Sequence, residues 1–505
     1  MTETAETAEA TEVAASSVAA QVADFAHLQA RPSLIFARPG ARPGTVGKRI
    51  AETVATIRYA DAPAVRLGQD LHAPLSQLDY PDGRGEPAAD SLHTLLVAAG
   101  GYQRHEPHNT YNAHRGYPSA QCMFPTELFL CTEAGSWHYD AAQHQLRPVG
   151  RRPVGQPPSA PGQVSSLIIA ARPGKLPEYY RELQWSLSLC EAGHLTELLL
   201  ALATALGLAP RLRTDFDDQA ALRRIGAEQF DGWLPAAVIE LGSADLPLAT
   251  VAADGSWQVA DDPVLAIDRL GWQAGRTDPA STAGPVRWPS QPGTEIALPA
   301  VTRPPATWAQ LLFERSSGRA TGGFAAAPEP MPLQPLVAAL EQLRSTAASS
   351  WGGPTGTASG QGILVIAEQV VGLPDGLYEW SLADAGLRLR KPGRHLAEVQ
   401  RAFFYPETVT RVSTCNFVLL QVLDYTAILA ERGVRALRTS QLELGALAQA
   451  ASLSMTADGG FLRPCRSFDT DRLATLAGLT GGQTVSYLCL GGRSRFTDLL
   501  LDLRP

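Results

Sequence analysis

The sequence predicts an α+β protein made of two diverged copies of one unit, and three observations carry that prediction. Motifs recur at near-constant separation and in unbroken order along the 505 residues. Short apolar strands and long apolar helices mix without the strict alternation of a parallel α/β sheet. Each copy also runs through the same succession of strand, turn, strand, long helix and closing strand.

The repeat is legible residue by residue. Glu191-Ala192-Gly193-His194-Leu195 returns as Glu443-Leu444-Gly445-Ala446-Leu447 (443 − 191 = 252), and Phe216-Asp217-Asp218 returns as Phe468-Asp469-Thr470 at the same separation. Gly135-x-Trp137-x-Tyr139 returns as Gly376-x-Tyr378-x-Trp380 (376 − 135 = 241), and the strand ending at Gly242 returns as the one ending at Gly491 (491 − 242 = 249). Repetition at a fixed period defines architecture before any local reading does.

The acidic, Ala/Thr/Glu-rich residues 1–20 are expected to form a disordered tail, and 21–90 an extension of unassigned role. The first unit spans 91–245, with strands at Glu127–Cys131 and Trp137–Tyr139. Its helix carries Leu189, Ala192, Leu195, Leu199 and Ala203 at helical spacing, and its closing strand ends at Gly242. A Pro/Gly/Trp-rich linker covers 246–305, with strand expected near Leu248–Ala252 and Trp257–Ala260. The second unit, 306–505, opens on an apolar patch (Trp308, Leu311, Leu312, Phe313) that reads as a short helix. It continues through strands at Ile363–Ala367 and Leu377–Trp380 and a helix bearing Leu442, Leu447 and Ala450.

Composition narrows the function. Charged residues make up 18% and the net charge is −8, so no basic stripe is present for nucleic-acid binding. The six cysteines form no Cys-x-x-Cys pair and read as buried thiols, neither disulfides nor a zinc site. The N-terminus has neither a basic start nor an apolar core, and Leu195–Leu208 is too short to cross a bilayer. A soluble, cytoplasmic protein without membrane contact is expected.

Two segments carry chemistry. Arg315-Ser316-Ser317-Gly318-Arg319 gathers two guanidiniums and two hydroxyls, donors suited to one anionic group, and Arg493 and Arg495 add a second basic pair. Pro118-Ser119-Ala120-Gln121-Cys122-Met123-Phe124-Pro125 runs into the apolar strand at Leu128. This second segment resembles the Pro-Ser-Ala-Gly-x-x-Tyr-Pro segment of the SagB/ThcOx flavin dehydrogenases, a group within the nitroreductase family. Gln121 stands where that group has Gly, and Phe124 where it has Tyr.

The resemblance, which covers the chain from about Leu92, implies two fused nitroreductase-like units forming an intramolecular pseudo-dimer that binds FMN. It implies a flavin ring against Pro118, Ser119, Ala120 and Gln121, and a phosphate held by Arg315, Ser317 and Arg319, with Arg493 and Arg495 favouring the same phosphate. Neither Lys48–Glu52 nor Ile57–Asp61 supplies a matching phosphate segment before the first unit, and the second unit has Gly352–Gly360 where the first has Pro118–Pro125. One composite site between the units accounts for that partition.

The group's Lys-Tyr pair falls here on Tyr179 and Tyr180, so Tyr180 is the expected base, its pKa lowered by Lys175 or Arg181. Arg438 is expected at the flavin or the substrate, or in an ion pair, and His194 as a packed helix histidine. His105, His108 and His114 lack zinc-ligand spacing and mark either a substrate-facing loop or a surface one. No metal is expected. The activity implied is oxidation of thiazoline or oxazoline rings in a ribosomally made precursor peptide to thiazole or oxazole, with dioxygen reoxidising the flavin. The setting implied is thiopeptide or linear-azole biosynthesis beside a cyclodehydratase. The alternatives are an NAD(P)H-dependent nitroreductase acting on small aromatics and a degenerate, non-catalytic partner subunit.

Overall fold

The computed structural model describes residues 20, 22–31, 64–68, 70–132, 135–149, 166–214, 216–227, 232–241, 293–318, 324–349, 362–380, 386–496 and 499–505. The tail 1–19, the strands expected at 248–252 and 257–260, the segments 48–61 and 352–360, and Arg319 lie outside the described residues.

Among the described residues the strands of the first half are β1 (Val65–Arg66), β2 (Tyr102–His105), β3 (His114–Arg115), β4 (Thr126–Thr132), β5 (Gly135–Asp140), β6 (Gln145–Val149), β7 (Ser166–Ala171), β8 (Pro210–Arg213) and β9 (Leu234–Leu241). Those of the second half are β10 (Thr294–Ala297), β11 (Phe324–Ala325), β12 (Gly362–Ala367), β13 (Gly376–Trp380), β14 (Gly386–Pro392), β15 (Thr410–Arg411), β16 (Phe417–Asp424), β17 (Gly460–Cys465), β18 (Gln483–Arg493) and β19 (Leu501–Asp502). The helices are α1 (Ser91–Gly100), α2 (Leu183–Ala205), α3 (Asp218–Ile225), α4 (Trp308–Glu314), α5 (Leu333–Ser349), α6 (Leu396–Ala402), α7 (Tyr425–Ala457) and α8 (Thr470–Ala477).

Two seven-stranded sheets result, in the orders β1-β6-β5-β4-β7-β9-β8 and β10-β14-β13-β12-β16-β18-β17, and every pairing in them is antiparallel. Position by position, the two orders trace the same route. Short helices repeat too: Asp217 caps α3 by accepting from the amides of Gln219 and Ala220, and Asp469 caps α8 by accepting from those of Asp471 and Arg472. Both helices stop at a left-handed glycine, Gly226 and Gly478.

The central strands carry apolar runs, Leu128–Cys131 in β4 and Ile363–Ala367 in β12, because both sheet faces are covered. In β4, Leu128 and Leu130 face the main core, while Phe129 and Cys131 pack on the other side with Phe216, Leu222 and Trp233. In β12, Ile363 and Val365 face the same main core, and Leu364 and Ile366 pack outward with Leu396, Val399 and Leu473.

Between the sheets lie α2 and α7, which is why α2 is buried nearly all round. At 23 residues α2 is longer than the sequence suggested and has the length and composition to cross a membrane, but it is packed inside the protein. The two helices meet at glycine. A Cβ on Gly193 would lie 2.0 Å from the Leu442 carbonyl oxygen, and one on Gly445 would lie 1.8 Å from that of Cys190.

The segments read as extension and linker supply edge strands: β1 pairs with β6, and β10 with β14. Helical residues 22–30 join both halves, with Phe25 edge-on to Trp185 and the Ala30 carbonyl accepting from Thr484 Oγ1 at 2.9 Å. The chain end returns to the first half, where β19 pairs with β2.

Candidate functional site

A cavity of about 460 Å³ opens where the two halves meet, within the range of small-molecule sites. Pro118, Ser119, Ala120, Gln121 and Cys122 line it from the first half, and Arg315, Ser316, Ser317 and Gly318 from the second.

The Arg315 segment follows α4, the short helix read from the sequence, whose Thr307 side chain accepts from the Gln310 amide. Arg315 is buried and donates from Nη1 to Ser317 Oγ at 3.3 Å; Ser316 Oγ accepts from the Gly318 amide. Gly318 has φ +87°, and a Cβ there would meet the Phe324 ring at 2.3 Å. Arg463 stacks on that ring and donates to the Ser317 carbonyl at 3.2 Å, bringing a further guanidinium to the same end of the cavity.

The Pro118 segment turns tightly into β4. Gln121, Cys122 and Phe124 all have φ between +46° and +54°, a region where non-glycine residues are uncommon. The Gln121 amide donates to the Tyr179 hydroxyl and, at 3.4 Å, to that of Tyr180. Behind the turn stands α2. His194 Nδ1 donates to the Pro118 carbonyl at 3.0 Å, so its Nε2 accepts from the Tyr487 hydroxyl at 3.2 Å. Burial lowers His194 to about 3, and the ring is neutral. His194 is thus a packed, hydrogen-bonded helix residue that fixes the turn.

Glu191, one turn earlier, also lines the cavity. Burial lifts its carboxyl to about 7, against the opposing pull of Ser119, Arg115, Lys175 and Thr126. Thr126 Oγ1 donates to it at 3.2 Å.

The other expected site residues are distributed differently. Tyr180 lines the cavity, but burial, with Tyr405 and Tyr179, holds its hydroxyl well above the ordinary range. The expectation of a lowered pKa is therefore reversed. Lys175 donates instead to the Phe124 carbonyl at 2.7 Å and to Glu127 Oε1 at 3.2 Å, drawn off by a buried carboxylate. Arg438 lies within α7, not ahead of it. It donates to both Asp218 oxygens, at 2.9 and 2.8 Å, and to the Pro235 carbonyl, away from the cavity. Arg493 pairs with Gly460, at the end of β17 remote from the cavity residue Cys465, and lines a smaller cavity with Met455 and Asp458. Arg495 is exposed over the Phe496 ring. His108 and His114 line the main cavity and His105 does not; among the described residues no His/Cys/Asp/Glu group could hold a metal ion.

Sequence reading missed Arg466. It is buried at the cavity wall and donates to Gln441 Oε1 at 2.7 Å, the Gln29 carbonyl at 2.8 Å and the Tyr425 hydroxyl at 3.1 Å, all neutral acceptors. Its Nε–H has no hydrogen-bond partner among the described residues. At the 252-residue separation of the repeated motifs, Thr214 stands where this arginine does (466 − 214 = 252). A buried cation with no carboxylate partner among the described residues fits an acceptor or anionic group in the cavity.

No protein-family model and no curated protein sequence matches this chain. Solved structures do. An Anabaena variabilis protein assigned as a nitroreductase aligns over 94% of this chain and 99% of its own, with a TM-score of 0.68 at 16% identity. A Ralstonia eutropha protein with the same assignment aligns over 42% of this chain and 99% of its own, with a TM-score of 0.33 at 18% identity. A chain of the E. coli microcin synthetase McbBCD complex, solved with truncated pro-MccB17 bound, aligns over 45% of this chain and 94% of its own, with a TM-score of 0.26 at 18% identity. The first of these places the chain in a nitroreductase-like α+β fold.

Proposed function

We propose that the chain is an intramolecular pseudo-dimer of two nitroreductase-like units with one FMN site between them. We propose further that it oxidises thiazoline or oxazoline rings of a ribosomally made peptide to the aromatic azoles. The observation that carries the reading is the convergence of the Pro118–Gln121 turn and the Arg315–Gly318 loop, from opposite halves, on one cavity. The Arg466 guanidinium, which among the described residues has an orphan Nε–H and no carboxylate partner, is the second feature that fits a bound acceptor.

Arg315, Ser316, Ser317 and Arg463 would hold the phosphate, and Arg319 is proposed beside them by its place in the motif. Pro118, Ser119, Ala120 and Gln121 would lie along the flavin ring, with Arg466 facing its polar edge. Bound FMN would supply the two-electron acceptor for the ring oxidation, with dioxygen as its reoxidant.

Loss of the ring hydrogens also requires a proton acceptor, and the residues favour Glu191 in that role. Its carboxyl is poised near neutrality, where a base is most effective, whereas Tyr180 keeps its proton. We assign Tyr180 as a hydroxyl donor that orients the substrate, with the loop His108–Tyr111 over the mouth. Lys175 acts on this machinery indirectly, by tying Glu127 to the Phe124 carbonyl beneath the turn.

The test is direct. Full-length protein supplied with FMN, air and an azoline-containing peptide should remove two hydrogens per ring, read by mass spectrometry. A protein that binds FMN yet leaves the azoline unchanged in every peptide offered would overturn the substrate assignment. A protein that binds no flavin would overturn the reading entirely.

A further inference from the structure

Three residues of the cavity wall form an array that the ring oxidation does not use. Cys122 Sγ lies 3.7 Å from His114 Nδ1, and His114 Nε2 lies 3.4 Å from Glu106 Oε2. All three line the cavity. Glu106 is itself fixed: Arg104 donates to Oε1 from Nε at 2.9 Å and from Nη2 at 2.6 Å, and Asn109 donates to Oε2 at 3.0 Å. Burial alone would raise the Glu106 carboxyl, but Arg104, His114 and Asn109 bring it down to about 2, so it is ionised at neutral pH.

The proton positions follow. His114 Nε2 lies 3.3 Å from Asn109 Nδ2 as well as 3.4 Å from Glu106 Oε2; Asn109 donates to Glu106, and the tautomer with Nε2–H toward the carboxylate leaves Nδ1 facing the thiol. Thiol, imidazole and carboxylate then stand in the relation that activates a nucleophile through an oriented base. The other thiols are unlike this one. Cys131, Cys190, Cys415 and Cys489 are buried, and burial pushes the half-buried Cys465 up to about 11.

We propose that Cys122 is a nucleophilic thiol, with His114 as its proton acceptor and Glu106 as the positioning residue, and that it captures soft carbon electrophiles entering the cavity. In the capture step the thiol proton passes to His114 Nδ1 and the sulfur forms a bond to the electrophilic carbon. The bond from that carbon to its leaving group breaks, and the group departs with the bonding pair. No electron acceptor is required. The adduct occupies the cavity, between Gln121 and the His108–Tyr111 loop.

The probe is limiting iodoacetamide at pH 7 on the full-length protein, with alkylation followed at each cysteine by peptide mass spectrometry. Cys122 should label first and about fivefold faster than glutathione, and His114→Asn should slow it at least to the glutathione rate. Glu106→Gln should slow it similarly, whereas Glu106→Asp should retain most of the rate, because the carboxylate and not the bulk of the side chain orients the ring. Equal rates in the wild type and His114→Asn would overturn the proposal. So would Cys465 labelling first, a result readable on the wild type alone if a variant fails to fold. Because the assay needs neither flavin nor peptide, its outcome is separate from that of the ring-oxidation test.

Discussion

Gly193 and Gly445 make reciprocal contacts at the crossing of the two long helices. Gly193 faces the carbonyl of Leu442, and Gly445 faces that of Cys190. Each glycine, and each carbonyl it meets, is 252 residues from its counterpart (445 − 193; 442 − 190). Such a relation, in which i meets j and j's counterpart meets i's, is what a two-fold axis imposes on a contact between like surfaces.

A methyl group on either glycine would stand well inside contact distance of backbone, which cannot rotate away. Gly193→Ala and Gly445→Ala should therefore each force the helices apart and cost about 1–3 kcal/mol. Denaturant melts of the two single variants and the double should give less than additive losses, because the first separation makes room for the second methyl. Additive losses would mean that the two contacts are energetically separate.

Arg315 and Arg466 should contribute to flavin retention at different ends of the cavity. A hydrogen bond from a charged donor contributes about 1.5–3 kcal/mol, so Arg315→Ala should weaken FMN binding by roughly tenfold to a hundredfold. Arg466→Met, which removes the buried charge and retains apolar bulk, should weaken FMN and riboflavin alike, whereas Arg315→Ala should weaken FMN only. Fluorescence titration with both flavins checks the split.

The Glu127 carboxylate is held far below the ordinary range. Burial opposes ionisation, but Lys175, His138 and Arg172 outweigh it. Because the folded pKa is depressed, this stabilisation is present above the unfolded value of about 4.5 and is lost as pH falls below it. Glu127→Gln should destabilise the protein by about 1.5–3 kcal/mol at neutral pH, since it leaves the partly buried Lys175 and Arg172 without their counter-charge. It should also flatten the stability curve between pH 5 and 3. Urea melts across that interval provide the check.

The fold was legible where local chemistry and tertiary demand agree. The Phe216-Asp217-Asp218 and Phe468-Asp469-Thr470 motifs, which prove to open α3 and α8, and the strands at Glu127–Cys131 and Ile363–Ala367 each carry their signal within a few residues. The edge strands β1 and β10 were not legible, because they are short and exist only through pairing with β6 and β14. Segments lining the cavity could be found from motifs, but the partner of a long side chain could not. Asp218 takes Arg438, and Glu127 takes Lys175, across 220 and 48 residues of sequence. Glu191 was visible as part of a repeated helix motif, yet its protonation depends on burial that only the assembled core creates.

That burial gives Glu191 a double signature. Its folded pKa of about 7 lies above the unfolded value, so the folded state binds the extra proton between about pH 4.5 and 7. Stability from this group is fully present below pH 4.5, declines as pH rises through that window, and is gone above it, a change of about 3 kcal/mol. Glu191→Gln, which keeps the shape and the uncharged state, should remove that decline and leave the variant relatively more stable than wild type at pH 8. The same substitution should lower turnover of an azoline peptide by about a hundredfold, the usual scale for loss of a general base, while FMN binding is kept. Urea melts at pH 5 and 8 test the first effect without any substrate. Steady-state rates test the second. Retained turnover with altered pH-stability would show the buried carboxyl to be real and the base to be another group.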